Sequence, residues 1–343
     1  MSFEDVPGQP RAKRFLRRLF QSGRIPHAML FSGMAGVGKA AMALELVKLL
    51  NCHAPRDMNA CDACGSCLKL RKGIHPDLLV VKAERAFIKL DQIREMRARL
   101  RFQPFEGKWR GIVIENAQAL NEEAANALLK LLEEPPQRNI FLLTTLEPQM
   151  LLPTILSRCC HVRFQPLDLE TLAKVLEEEH RMPESKARQV ARLSEGSLER
   201  ARCFGDEERM GQCKETLKKI EGLGRLTILE LFPLVANWVQ GNEALEQDLE
   251  WIKLWMRDLI LYRLLKDHQS FSVPDERTLR AAGCVSVDTL FVLYDNIEKA
   301  LQQLRRNANK NLVLEGVCIA IKDDLYGKNC RNSIPQRRKS LSF

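Results

Sequence analysis

Short, nearly continuous apolar runs recur through the first half of the chain, and between them the apolar positions fall three and four apart. The runs Ala28–Ser32, Leu78–Val81, Gly111–Glu115, Ile140–Thr145 and His161–Phe164 have the length of buried strands. Phe15, Leu16, Leu19 and Phe20 share one face of a helix predicted over Arg11–Gln21, and a second helix is expected over Lys39–Leu50. A third begins after Asn121, a good N-cap. It carries Glu122 and Glu123 in its first turn, where the helix dipole favours acids, and stops before Pro135-Pro136. Strands alternating with helices of this length build a parallel sheet covered on both faces, so residues 1–165 are expected to form an α/β domain.

The strand pattern ends at Phe164-Gln165-Pro166. Three short helices, opening at Asp168, Glu184 and Gly196-Ser197, predict a small helical domain over residues 166–205. Residues 206–326 read as helical throughout, including Trp251–Leu265 and Val287–Arg305, which predicts an all-helical third domain. Trp251 and Trp255, four residues apart, are read as core or interface residues. No fixed-period repeat is present.

Composition refines this organisation. A chain of 343 residues exceeds one ordinary core, and 45% hydrophobic with 28% charged residues is a normal globular balance. The start, Met1-Ser2-Phe3-Glu4-Asp5, lacks the charged and apolar blocks of a secretory leader, and no run of eighteen apolar residues occurs. A cytosolic protein without a membrane partner is expected. Five of the nine net positive charges lie in residues 327–343 (Lys328, Arg331, Arg337, Arg338, Lys339), a segment with no acid that reads as a mobile basic tail. The body is therefore only mildly basic.

Two motifs carry chemistry. Gly33-Met34-Ala35-Gly36-Val37-Gly38-Lys39-Ala40 follows a strand and opens a helix. Gly33, Gly36 and Gly38 let backbone amides surround a phosphate, and Lys39 offers a point charge. The plainer alternative is a glycine-rich turn that only joins strand to helix. Where a working P-loop has Ser or Thr to ligate Mg²⁺, this chain has Ala40, whose methyl cannot. ATP or ADP can still be held through backbone and Lys39, but hydrolysis is not expected. At the end of the third strand run, Glu115 and Asn116 stand where an active enzyme carries Asp for the metal and Glu to activate water. Asn116 cannot take a proton from water.

The second motif is cysteine-based. Eleven cysteines without a leader argue against disulfides. Cys52, Cys61, Cys64 and Cys67, spaced C-x8-C-x2-C-x2-C, can close a tetrahedral structural Zn²⁺ shell, with Asp62, Gly65 and Ser66 as turn residues. His53 and His75 are not needed as ligands and are read as ordinary polar residues. Cys159, Cys160, Cys203, Cys213, Cys284, Cys318 and Cys330 are read as packing residues. Arg94, Arg97, Arg99, Arg101, Lys108 and Arg110 are read as solvated surface; any contact with DNA phosphates would be non-specific and salt-sensitive.

Several segments together resemble the bacterial DNA polymerase III clamp-loader subunits of the AAA+ class. They are Val6-Pro7-Gly8-Gln9, Arg24-Ile25-Pro26-His27-Ala28, Asn126-Ala127-Leu128-Leu129-Lys130, Leu132-Glu133-Glu134-Pro135-Pro136, and Leu152-Pro153-Thr154-Ile155-Leu156-Ser157-Arg158-Cys159. The resemblance covers most of residues 1–325 and is strongest in the first domain. It implies a zinc module within an AAA+ domain, a helical lid, and a helical collar for oligomerisation. Glu195-Gly196-Ser197-Leu198-Glu199-Arg200 resembles the sensor 2 helix, but Glu199 stands where a basic residue reaches the nucleotide.

A degenerate P-loop beside an intact Ser-Arg-Cys segment is similar to the delta-prime branch of that family. The resemblance then implies a subunit of a polymerase holoenzyme, in a ring with delta and gamma/tau subunits, that helps place the sliding clamp on primed DNA. Arg158 would act in trans on a neighbour's ATP as an arginine finger; a structural salt bridge is the alternative. Two rival readings remain: an active gamma/tau-type ATPase, which predicts metal-dependent turnover by the chain alone, and a stand-alone zinc and DNA-binding module, which predicts tight DNA binding without partners.

Overall fold

The computed structural model describes residues 3, 5–56, 59–84, 87–240, 244–265, 279, 282–305 and 308–327. The chain divides into two compact units, Met1–Gly205 and Asp206–Phe343. The helical segment 166–205, separated above as its own domain, belongs to the same unit as the sheet. From residue 328 onward the basic tail lies outside the described residues.

The first unit is built on a five-stranded parallel sheet in the order β2-β3-β4-β1-β5. The strands are β1 (Ala28–Ser32), β2 (Leu78–Val81), β3 (Arg110–Ile114), β4 (Asn139–Thr145) and β5 (Cys160–Arg163). All lie within one residue of the predicted runs. Every residue of β1, β3 and β4 is buried, as expected of central strands covered on both faces. One face packs Leu30, Ile112, Ile114, Phe141 and Leu143 against Ile93, Leu128 and Ile155. The other packs Met29, Phe31, Val113 and Leu142 against Leu16, Met42, Leu46 and Val47.

The covering helices are α1 (Pro10–Gln21), α2 (Lys39–Asn51), α3 (Gly65–Arg71), α4 (Leu90–Leu100), α5 (Glu122–Glu133) and α6 (Pro153–Arg158). Asn121 caps α5 as predicted, its side chain accepting from the Ala124 amide at 2.9 Å, a contact that contributes about 1 kcal/mol. After β5 come α7 (Leu169–His180), capped by Asp168, α8 (Glu184–Leu193) and α9 (Leu198–Gly205).

The second unit is helical in all its described elements: α10 (Glu207–Gly222), α11 (Ile228–Val239), α12 (Leu245–Leu265), α13 (Val287–Arg305) and α14 (Lys310–Tyr326). Trp251 and Trp255 are both buried in its core, together with Ile252, Leu259, Leu293 and Ile297. The buried Asp248 carboxylate is satisfied by Thr216 Oγ1 and Trp238 Nε1, each donating at 2.8 Å. No helix among the described residues is long and apolar enough to cross a membrane.

Candidate functional site

The glycine loop joins β1 to α2, as its sequence predicts. Gly33, Gly36 and Gly38 have φ of 148°, 74° and 93°, a region disfavoured for side-chain-bearing residues. A Cβ on Gly33 would strike the Phe164 carbonyl oxygen, and one on Gly36 would strike Ser197 and Glu199. The loop is thus tightly enclosed. Lys39 is buried and donates from Nζ to the Gly33 and Met34 carbonyls at 2.7 and 2.6 Å. Burial pulls its pKa down to about 8, with Glu199 acting against that shift. The start of α9 lies on the loop, where the Leu198 amide donates to Gly36 O at 2.9 Å. Gln9, with φ of 57°, joins the loop to the exit of β5. Its amide donates to Val37 O and Gln165 O, and its carbonyl accepts from the Gln165 amide.

The residues after β3 also depart from an active site. Glu115 pairs with Lys82 at 3.0 Å. Asn116 adopts a left-handed conformation, φ 54°, and its amide donates to Thr144 Oγ1 at 3.0 Å. Ala40 has no metal-binding atom, and Asn116 no basic one. An acid, Glu199, has its Cβ and backbone amide against Gly36 and acts electrostatically on Lys39.

Arg158 ends α6. Its side chain is about one-third exposed, and the guanidinium pairs with Glu133 at 2.7 Å and donates to Thr154 O at 3.0 Å. The residue is therefore in a salt bridge within this chain, yet open to solvent on one side.

Cys52, Cys61, Cys64 and Cys67 are brought together, with their sulfur atoms all within 4.8 Å of one another. The Cys61–Cys67 separation is 4.0 Å. A tetrahedral zinc with four thiolates at about 2.3 Å needs sulfur separations of about 3.8 Å, so the donor set fits that ion. The amides of Ala63 and Cys64 draw the Cys61 thiol down to about 6, while burial pushes the Cys52 and Cys67 thiols up. A divalent cation would hold the remaining sulfurs as thiolates. The knuckle is anchored to α2 by the buried Lys48, which bonds Glu45 and Asp62 at 2.7 Å each.

One expectation here requires correction. Arg110 is not solvated: its side chain is 7% exposed and faces Asp77, 1% exposed. Its guanidinium also donates to the carbonyls of Arg99, Phe102 and Gln103. The Asp77 carboxylate accepts from the amides of Phe105, Glu106 and Gly107 at 2.7–2.8 Å. His75 is likewise buried, bridging Ser66 Oγ, beside the cysteine knuckle, to the Asp77 amide. Periodicity alone carries no signal for this cluster, because a charged residue at a strand start reads as surface. Arg94, Arg97, Arg99, Arg101 and Lys108 are exposed as expected. Cys159, Cys203, Cys213 and Cys318 are buried packing residues. Cys160 is half-buried; Cys284, expected as a packing residue, is instead exposed; and Cys330 lies outside the described residues.

The sequence model of the family described as "DNA polymerase III, delta subunit" matches residues 8–168. The chain is 34% identical over 280 residues to DNA polymerase III subunit tau of Escherichia coli (strain K12), an alignment covering 77% of this chain and 43% of that protein. It is 32% identical over 299 residues to DNA polymerase III subunit delta' of Pseudomonas aeruginosa, covering 84% of this chain and 88% of that one. The chain thus spans less than half of the tau relative and most of the delta' relative. Among solved structures, a DNA polymerase III gamma subunit-related protein from Thermotoga maritima aligns with a TM-score of 0.48 at 18% identity, over 90% of this chain and 99% of that one.

Proposed function

The chain belongs to the DNA polymerase III clamp-loader subunit family, and on that basis we propose that it is a delta'-type subunit that does not hydrolyse ATP itself. In this reading it lends Arg158 to the ATP site of a neighbouring gamma/tau-type subunit, assembles with delta and gamma/tau subunits, and takes part in loading the sliding clamp onto primed DNA. Zn²⁺ on Cys52, Cys61, Cys64 and Cys67 serves a structural role. The lid and collar roles belong to residues 166–205 and 206–326.

One observation carries the reading. Lys39, the phosphate-binding cation of the glycine loop, is bonded to its own loop carbonyls under the start of α9, in a site where Ala40 supplies no metal ligand and Asn116 no base. Hydrolysis needs the metal to neutralise developing charge and a residue to orient the attacking water. A fixed guanidinium such as Arg158 is suited to the γ-phosphate of another subunit, since it stays charged and its fork matches phosphate oxygens.

Mg²⁺-dependent ATP turnover by the purified chain, compared with the chain assembled with gamma/tau-type subunits, tests the proposal. No turnover alone and Arg158-dependent turnover in the assembly are expected. Turnover by the chain alone that is lost on Lys39→Ala would favour the gamma/tau-type reading instead.

A further inference from the structure

The stretch from Pro10 to Arg24, α1 and the turn after it, holds six cations (Arg11, Lys13, Arg14, Arg17, Arg18 and Arg24) and no acid. Five of the nine net positive charges sit in the tail, so these six leave the rest of the body net acidic. The basic character of the folded chain is concentrated here. α1 turns Ala12 and Leu16 onto the sheet face that carries Phe31 and Phe164, and leaves Arg11, Arg14 and Arg18 exposed. These positions are three and four apart, so their side chains form one row along the helix. Arg24 follows at the helix end, where Ser22 Oγ donates to Leu19 O and accepts from the Arg24 amide.

Folding makes little use of these charges. Lys13 is buried and answered electrostatically by Asp5, but Arg11, Arg14, Arg18 and Arg24 make no ion pair among the described residues. Arg14 Nε reaches the Pro10 carbonyl of its own helix at 3.3 Å. Gly8 meets Leu167 and Thr171, which brings the start of α7, with Asp168 and Glu170, toward the first turn of α1. Asp168 is committed to the Thr171 amide and hydroxyl. Like charges three and four residues apart repel, so the row weakens the helix that carries it. Packing gains nothing in return, whereas a polyanion laid along the row would.

We propose that Arg11, Arg14 and Arg18, extended by Arg24, form a docking surface for the phosphate backbone of duplex DNA, held without regard to sequence. A guanidinium stays charged and presents paired donors to phosphate oxygens. Such contacts position a protein on DNA and carry no sequence information. Along the axis of α1 the three arginines are about 4.5 and 6 Å apart, a fixed row suited to anions that are themselves fixed. A duplex holds its phosphates in such an array; a single strand must lose its freedom to match it, and the row offers bases only the partly exposed ring of Phe15. α1 lies on the sheet face opposite α4, α5 and α6, so the surface needs neither an active glycine loop nor the proposed role of Arg158.

The test is fluorescence anisotropy of a labelled duplex of arbitrary sequence with the full chain over a series of salt concentrations. Weak binding that falls steeply with salt is expected. Arg11→Gln/Arg14→Gln/Arg18→Gln should weaken it by about tenfold or more at low salt and flatten the log–log salt slope by about two to three, because each phosphate contact contributes about 0.9. Arg11→Lys/Arg14→Lys/Arg18→Lys should keep most of that slope. Arg188→Gln/Arg202→Gln/Arg209→Gln removes the same charge from cations already paired with Glu184, Glu179 and Asp206, and should cost far less. The α1 side chains replaced are exposed, so melting temperatures should match or exceed the parent's, which separates lost binding from lost folding. The proposal is overturned if the parent does not bind at low salt, or if both glutamine triples weaken binding equally, which would leave net charge as the whole effect. It is also overturned if a single strand of equal length displaces the duplex more effectively, or if polyglutamate at equal charge does so, which would make the row a surface for acidic protein segments.

Discussion

Arg158 Nη2 lies 2.7 Å from the Glu133 carboxylate, so the residue proposed to act on another subunit's phosphates already has an anionic partner at home. Both side chains are partly exposed, and such a pair contributes only about 0–1 kcal/mol. A guanidinium at a γ-phosphate is worth about 10³- to 10⁵-fold in rate. On the proposed role, exchange of Glu133 for phosphate would be favourable, and the salt bridge would hold the arginine ready without trapping it. In single-turnover phosphate release by the assembled complex, Arg158→Ala should slow the adjoining site by about 10³-fold or more. Glu133→Gln, which frees the arginine, should leave that rate at or above the parent value. Equal losses from both changes would mean that the pair is structural.

The glycine loop yields a second prediction, about binding rather than turnover. Glu199 bears on Lys39 electrostatically, and its backbone lies against Gly36, so its charge opposes incoming phosphates. Glu199→Arg reverses that charge at close range and should tighten ATP binding by on the order of tenfold or more in calorimetry. Lys39 supplies the attraction and titrates near 8. Whatever affinity exists should therefore decline as pH rises through that value and the ammonium is lost. Hydrolysis should stay absent, because Ala40 and Asn116 are unchanged. Unaltered affinity in Glu199→Arg would show that this acid does not guard the loop.

Much of this was legible from the chain itself, for local reasons. The strands announce themselves because β1, β3 and β4 are buried on both faces and so are apolar throughout. The cysteine cluster was legible because its ligands lie within sixteen residues and the spacing alone brings them together. Asp77 and Arg110 were not legible. The two are 33 residues apart, and their other partners are backbone groups, which leave no trace in side-chain pattern. The closeness of Glu199 to the glycine loop was legible only through resemblance, since about 160 residues separate them and only the folded unit joins them.

The Asp77 cluster should govern stability in acid. Burial alone would raise the Asp77 pKa, but the amides of Gly107, Glu106 and Phe105 and the Arg110 guanidinium hold it below its ordinary value. A carboxyl depressed on folding contributes stability that is full above its unfolded pKa, about 3.9, and is lost as pH falls through the lower folded value. Asp77→Asn removes that contribution and leaves Arg110 buried without its countercharge, at a cost of about 3–5 kcal/mol. Urea midpoints measured from neutral pH to acid should be lower in the variant and should depend less on pH below about 4 than those of the parent. Midpoints that fall in parallel would assign the acid sensitivity to other carboxylates.

Metal removal should reach beyond the cysteines. The knuckle leads into α3, where Ser66 bonds the buried His75, and His75 in turn accepts from the Asp77 amide; Lys69 of the same helix pairs with Glu106. Chelation should therefore loosen the 101–109 loop as well as the knuckle, while α5 and β4, packed in the main core, stay protected. Hydrogen exchange followed by mass spectrometry reads both regions at once. One zinc per chain before chelation is expected, with faster exchange afterwards in residues 65–77 and 101–109. If exchange quickens around Cys61–Cys67 alone, the loop is held by Asp77 and Arg110 independently of the metal, and the module supports only itself.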